Sequence, residues 1–496
     1  MEFTSTRGNG IKVTSAQAIY QGLAKDGGLF VPTEIPTINL AELENWENMP
    51  YAKRAKQILK LFLSDYTEEE ISYATDMAYG IDAFPEQVAP VVGIDDLYSV
   101  LELWHGKTSA FKDMALQILP YLLTIAVKKE GVKEKVLILV ATSGDTGKAA
   151  LEGFQDVSGT QIVVFYPLDG VSDIQKLQMN TQQGENVNVV AVKGNFDDAQ
   201  TGVKNIFNDL QIAELLKQKG YIFSSANSIN WGRLVPQIVY YISAYIDLLH
   251  KGVVKNGEKI NFSVPTGNFG NILAAYYAKL MGLPINKLIC ASNANNVLTE
   301  FINTGVYNRN RQFYQTNSPS MDILISSNLE RFLYIVNNGD VSLVKKYMEK
   351  LTAKGVYSIE PELLAQVQQE LVAYSYNETQ TCQKIKELYE SNQYLLDTHT
   401  AVAYLAAEEY VQNTNDKSHT VVVSTANPFK FSEAVLSALG NSTGGLSAFE
   451  MNNLLAKVTG NEIPVKIKEL ENAVVRHTQV VDKKDMVQAV LNILEK

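Results

Sequence analysis

The chain has 496 residues, 46% of them apolar and 20% charged, and a formal net charge of −11. This length exceeds one compact core, so two or three domains are expected, and the composition excludes a fibre or a disordered chain. The acidic balance repels nucleic-acid backbones and anionic lipid, so neither is expected as a partner. Two cysteines, Cys290 and Cys382, make no disulfide framework. The five histidines form no H-E-x-x-H, so no metal site is expected. The polar opening residues lack the apolar run of a signal peptide, and no stretch reaches membrane-spanning length. A cytoplasmic location is the simplest expectation.

Residues 14–24 carry apolar residues at helical spacing and end near Gly27 and Gly28; Pro32 and Pro36 then mark a loop. Residues 51–79 also read as helical, with capping signals at Asp65 to Thr67. Residues 1–96 are therefore expected to form a small N-terminal domain. Beyond it, short apolar runs predict strands at 135–142, 161–167, 188–192, 221–225, 260–265, 287–292 and 420–428, most of them followed by a loop and a helix-period segment. That alternation predicts α/β architecture, with parallel sheets covered on both faces. We expect a smaller α/β domain over 97–230 and a larger one over 231–496. The charged stretch 330–396 shows no strand and reads as a helical insertion packed on the outside.

Four segments could carry chemistry. In HGKTSAFKDMALQIL (105–119), Lys112 sits where a helix begins; apolar surroundings would lower its pKa and free the amine for a Schiff base. A surface lysine on a first helical turn is the plainer alternative. In ATSGDTGKAA (141–150), a strand enters a glycine-bearing loop whose amides and helix dipole could hold a carboxylate or phosphate. A P-loop is excluded, because Thr142 replaces its first glycine and Ala149 follows Lys148. In SVPTGNFGNIL (263–273), Gly267 and Gly270 allow close backbone approach and suit a phosphate cradle, or a tight turn. In VVVSTANPFKF (421–431), Ser424 and Thr425 end a strand at the edge where open α/β sheets bind ligands. Each signal alone is weak, and four loops that could gather at one sheet edge are stronger.

The segments HGKTSAFKD, ATSGDTG, SSANSINWGRLVPQIVYY, VPTGNFGN and STANPFKF occur together and in order. That set resembles the threonine synthase family in its longer microbial and fungal branch, as do the opening STRG and SAQAIYQGLAKDGGLFVP. The resemblance implies fold type II of pyridoxal-phosphate enzymes, akin to the tryptophan synthase β chain. It also implies conversion of O-phospho-L-homoserine and water to threonine and phosphate, by a monomer or homodimer. A threonine dehydratase of the same fold is the alternative.

By the resemblance, Lys112 holds pyridoxal 5'-phosphate, and Gly267, Asn268, Phe269, Gly270 and Asn271 bind its phosphate. Thr425, ahead of Ser424, lies beside the pyridine nitrogen. Thr142, Ser143, Asp145 and Thr146 hold the substrate carboxylate or orient its phosphate. Asn227, Ser228, Asn230 and Arg233 form the outer substrate-phosphate site. Lys107 stands where many members have proline, and reads as a solvated lysine.

Overall fold

The computed structural model describes every residue of the chain except 9, 11, 143, 170 and 496. The opening helix, Ser15–Gln21, starts where Thr14 and Gln17 cap each other's backbone. It stops at Gly22, whose φ of 68° closes the last turn, earlier than the expected end near Gly27. Residues 51–79 form two helices, Tyr51–Phe62 and Glu68–Tyr79, the second opened by a reciprocal box between Thr67 and Glu70.

Two parallel sheets carry the rest, as the alternating pattern predicts. The five-stranded sheet runs 479–482, 187–193, 160–167, 135–141, 221–224, with every pair parallel. The six-stranded sheet runs 371–375, 285–292, 260–265, 420–424, 98–102, 91–93. Its one antiparallel pair is the edge strand Val91–Gly93 against Tyr98–Glu102. Inner strands such as Val421–Val423 are fully buried, because helices cover both faces.

The sheets do not follow chain order. Tyr98–Glu102 pairs with Thr420–Ser424 in the larger sheet, whereas Gln479–Asp482 returns to the smaller one. The stretch 330–396 is not purely helical or external. Leu371–Ser375 pairs with Leu288–Ser292 as a sheet edge, and Arg331 is fully buried. This strand follows the helix Pro361–Glu370 directly, so no turn residue announces it.

The main core lies where the long helix Trp231–His250 meets the N-terminal region. Trp231 packs edge-on against Phe3 and Tyr277, with ring centroids 5.1 and 5.4 Å apart, and against Phe62 at 5.6 Å. Burying these aromatic faces fixes the start of that helix, and so the position of Arg233.

Candidate active site

Loops at the carboxyl ends of parallel strands from both sheets converge. After Tyr98–Glu102 the chain forms a loop that ends in the short helix Asp113–Leu116, with Lys112 as its N-cap residue. Gly106 is required there, because a Cβ would stand 2.6 Å from an Asp113 carboxylate oxygen. Asp113 in turn accepts from the Thr108 amide at 2.7 Å and the Thr108 hydroxyl at 2.8 Å. Ser109 adopts a φ of 57°, and the turn docks on the next strand end: Phe111 N donates to Thr425 O at 2.8 Å, and Asn427 N to Ser109 O at 3.1 Å.

The Lys112 amine is buried, with a side chain 12% exposed. It donates to Ser320 Oγ at 3.2 Å and lies 3.6 Å from Asp145 Oδ2. Burial, with the cations Arg233 and Lys430 nearby, lowers it to about 8 against the pull of Asp145. Asp145 is held well below the usual carboxylate range: burial opposes ionisation, but Lys430 and Lys112 outweigh it. Lys430 Nζ is 2.7 Å from Asp145 Oδ1 and donates to Thr108 O at 2.9 Å. Gln175 Nε2 donates to the same Asp145 oxygen at 2.9 Å.

Ser320 is fixed from behind. Its amide donates to His399 Nε2 at 3.1 Å, and His399 Nδ1 lies 2.9 Å from Asp397 Oδ1. The ring therefore carries its proton on Nδ1. Sequence reasoning assigned none of Lys430, Ser320, His399, Asp397 or Gln175. Lys430 falls inside a quoted motif; Ser320 lies in the one-turn 3-10 helix Pro319–Met321, which no periodicity or motif marks.

The loop 266–271 has a different character. Its helix, Gly270–Leu280, begins after Phe269 in the left-handed region at φ 64°. Neither glycine takes a positive φ; Phe269 does. Gly267 is needed for space, because a Cβ would meet Ser320 O at 2.7 Å. Asn268 is exposed, and its carbonyl accepts from the Asn328 amide at 3.1 Å. Asn271 Oδ1 accepts from the Tyr240 and Tyr241 hydroxyls at 2.5 and 2.6 Å. Asn271 Nδ2 is buried with no partner among the described residues. A side-chain-free helix N-terminus with an unspent buried donor suits a phosphate group. The buried Lys112 amine suits its aldehyde, so the residues present fit pyridoxal phosphate.

The other expected residues divide. Ser143 lies outside the described residues. Thr142 Oγ1 accepts from the Gly144 and Gly147 amides at 3.0 and 2.9 Å, so these two donors serve the loop itself. Thr146 is half-buried on the first turn of the helix Asp145–Phe154. Ser424 Oγ accepts from Trp104 Nε1 at 2.9 Å and from Thr400 Oγ1 at 2.9 Å, whereas the hydroxyl of Thr425, a residue 7% exposed, makes no hydrogen bond among the described residues.

Asn230 caps the helix Trp231–His250. Its Oδ1 accepts from Gly232 N, and its Nδ2 donates to Ile19 O and Ser225 O, so both ends are spent. Asn227 and Ser228 are half-buried in the preceding turn. Arg233 is buried, donates to Ala226 O at 2.8 Å, and has no carboxylate against it among the described residues. Burial lowers it to about 10. Lys107 is not freely solvated: it is half-buried, 3.6 Å from Glu152 Oε1.

A buried low-pKa lysine at the edge of a parallel sheet, linked through Ser320 to the loop 266–271, fits a pyridoxal-phosphate enzyme of the tryptophan synthase β type. The pyridoxal-phosphate dependent enzyme model matches residues 85–426, flanked by threonine synthase N-terminal and C-terminal models at 2–79 and 400–491. The Pseudomonas aeruginosa threonine synthase is 38% identical over 88% of this chain and 90% of its own. The crystal structure of the PLP-bound threonine synthase from Brucella melitensis superposes with a TM-score of 0.89 at 34% identity, covering both chains fully. The chain belongs to the threonine synthase family. The human threonine synthase-like 1 protein is 42% identical over 86% of this chain, which spans only 58% of that relative's length. Among the described residues no helix is long and apolar enough to cross a membrane.

Proposed function

We propose that the chain converts O-phospho-L-homoserine and water to L-threonine and phosphate. Arg233 carries this reading. A buried guanidinium with no carboxylate against it is costly unless an anion joins it, and its charge reaches Lys112. An enzyme acting on serine or threonine offers such a cation only the substrate carboxylate or the cofactor phosphate, and here the loops 142–146 and 267–271 take those.

When bound, pyridoxal phosphate supplies an electron sink for the carbons beside the substrate nitrogen. Lys112 holds it, and the amides of 267–271 with Asn271 Nδ2 hold its phosphate. With the cofactor bound, the Thr425 hydroxyl would stand beside the ring nitrogen and, unlike a carboxylate, would not keep a proton there. The Lys112 amine, freed when the substrate nitrogen takes its place, removes a proton from the substrate Cα. A Cβ proton is lost as phosphate leaves Cγ, Cγ is protonated to a methyl group, water adds at Cβ, and Lys112 returns the proton to Cα. Asp145 and Ser320 orient that amine, and Lys430 neutralises Asp145 so that it does not lock Lys112 as an ion pair. The loop 142–146 receives the substrate carboxylate. Arg233, Asn227 and Ser228 hold the phosphate and stabilise its charge as it leaves Cγ. Asn230 shapes that turn instead of contacting substrate. The cleft between the two sheets excludes bulk water. We place the enzyme in the cytoplasm as a monomer or homodimer.

The test is to mix purified, cofactor-loaded protein with O-phospho-L-homoserine and follow threonine by chromatography. Threonine formed only with enzyme is the expected result. No threonine, with 2-oxobutanoate formed from threonine instead, would replace this reading with a dehydratase.

A further inference from the structure

One buried ionisable pair takes no part in the chemistry proposed above. Asp397 and His399 are each 1% exposed, at the start of the helix Thr398–Thr414. Burying two such groups is costly unless their hydrogen bonds are made. Asp397 is the N-cap residue; its Oδ1 accepts from the His399 amide at 2.9 Å and lies 2.9 Å from His399 Nδ1, and its Oδ2 lies against the Thr400 hydroxyl. Among the described residues, the side chains of the pair then reach beyond that turn through one polar atom, His399 Nε2, which accepts from the Ser320 amide at 3.1 Å. Phe431 packs edge-on against the ring, with centroids 4.9 Å apart, so the imidazole is held from its other side.

The chain around Ser320 is tied on both flanks. Thr398 Oγ1 donates to Asn317 O at 2.7 Å, and Asp322 Oδ1 accepts from Asn293 Nδ2 at 2.8 Å and Asn295 Nδ2 at 2.9 Å. Between these ties, His399 aims the Ser320 peptide. The Ser320 hydroxyl forms a triangle with the two groups it meets: it accepts from Lys112 Nζ at 3.2 Å and donates to Asp145 Oδ2 at 3.3 Å. The amine and that carboxylate oxygen stand 3.6 Å apart, longer than a direct hydrogen bond.

We propose that His399, its ring set by Asp397, is a positioning residue: it presents the Ser320 hydroxyl as the partner of the Lys112 amine, and so keeps the amine from closing onto Asp145 as a direct ion pair. Opposite charges in a buried site attract strongly, and a charge-assisted hydrogen bond would draw them to about 2.7–2.9 Å. An amine locked in that way stays an ammonium, which neither adds to an aldehyde nor accepts a proton. The hydroxyl satisfies both groups without joining them. It is held there only while Nε2 is an acceptor, which Asp397 secures by keeping the ring proton on Nδ1.

The test is the pH dependence of pyridoxal addition to the cofactor-free full chain, read as the absorbance of the Lys112 adduct over a Lys112→Ala blank. The wild-type midpoint is expected near pH 8. His399→Phe keeps a ring against Phe431 and removes the acceptor. It and Ser320→Ala are each expected to raise the midpoint toward the ordinary lysine range, and to slow addition at pH 8 about twofold or more, because the amine then pairs with Asp145. Adding His399→Phe to Ser320→Ala is expected to move the midpoint no further, since the hydroxyl through which the ring acts is gone. If His399→Phe does not fold, His399→Asn, too short to reach the Ser320 amide, takes its place under the same expectations. A midpoint that fails to rise in the His399 variant, or one that rises equally with and without the Ser320 hydroxyl, would overturn the proposal. The lysine itself is the readout, so the result stands whichever substrate the enzyme takes.

Discussion

The loops 142–147 and 266–271 are built alike, each running from the end of a parallel strand into a helix N-terminus, yet they are furnished oppositely. In the first, side chains dominate: Thr142 consumes two amides, and Asp145 draws in two buried lysines. In the second, no charged side chain bonds to the loop among the described residues, and one buried amide donor, Asn271 Nδ2, is left unpaired. The same strand–loop–helix frame can thus carry a charged cluster that places an amine, or leave its N-terminus open for a phosphate, and what decides is how far the helix N-terminus is filled from within.

The sharpest way to break this comparison is Lys112→Ala. Turnover is expected to fall by about a thousandfold or more, with loss of the absorbance of covalently held cofactor. Retained turnover would mean that the charged loop orders nothing essential.

Asp145→Asn comes next. It leaves Lys430, fully buried, without its carboxylate, at a cost of about 3–5 kcal/mol in unfolding free energy measured by denaturant titration. It also removes the one influence that raises Lys112, so Arg233 and Lys430 act unopposed. Reaction of cofactor-free protein with an aldehyde should follow a midpoint near pH 8 in the wild type, and a lower midpoint in Asp145→Asn. An unchanged midpoint would detach Asp145 from the amine.

The lysine also leaves a mark on stability. Its folded value, about 8, lies below the ordinary 10.5, so between these limits the unfolded chain binds more protons and stability rises with pH. Lys112→Met should flatten that rise, which unfolding titrations at several pH values would measure.

The smallest effects separate the two cradle glycines. Gly267→Ala drives a Cβ to 2.7 Å from Ser320 O, and should cost about 1–3 kcal/mol and loosen cofactor retention on dialysis. Gly270→Ala meets nothing nearer than Asn328 Nδ2 at 3.4 Å, and its change in stability should stay within about 1 kcal/mol. Equal damage at both would contradict the space argument.

Strands such as KVLILVA (135–141) were legible because buried parallel strands are short continuous apolar runs, whereas Tyr98–Glu102 and Gln479–Asp482 were missed because polar residues interrupt them. The strand Leu371–Ser375 was not legible, because it lies at an edge and a helix runs into it without a turn. Lys112 was legible from its motif, but Lys430 acquires meaning only when two strand ends meet, and Ser320 only when His399 fixes its amide. Asn230 shows a different case. Its motif marks it, yet its amide closes the helix cap. Motif spacing cannot tell a residue that touches a ligand from one that shapes the loop around it.

The strand Gln479–Asp482 lies beside Val187–Lys193, its neighbour in space and almost its opposite in sequence. During synthesis the edge of Val187–Lys193 therefore stays open until nearly the whole chain has emerged. For that interval it presents unpaired backbone groups to any other nascent strand, a hazard for aggregation on the ribosome that ends only with the last elements. Closing so long a loop is also slow, which makes this edge the expected late event in folding.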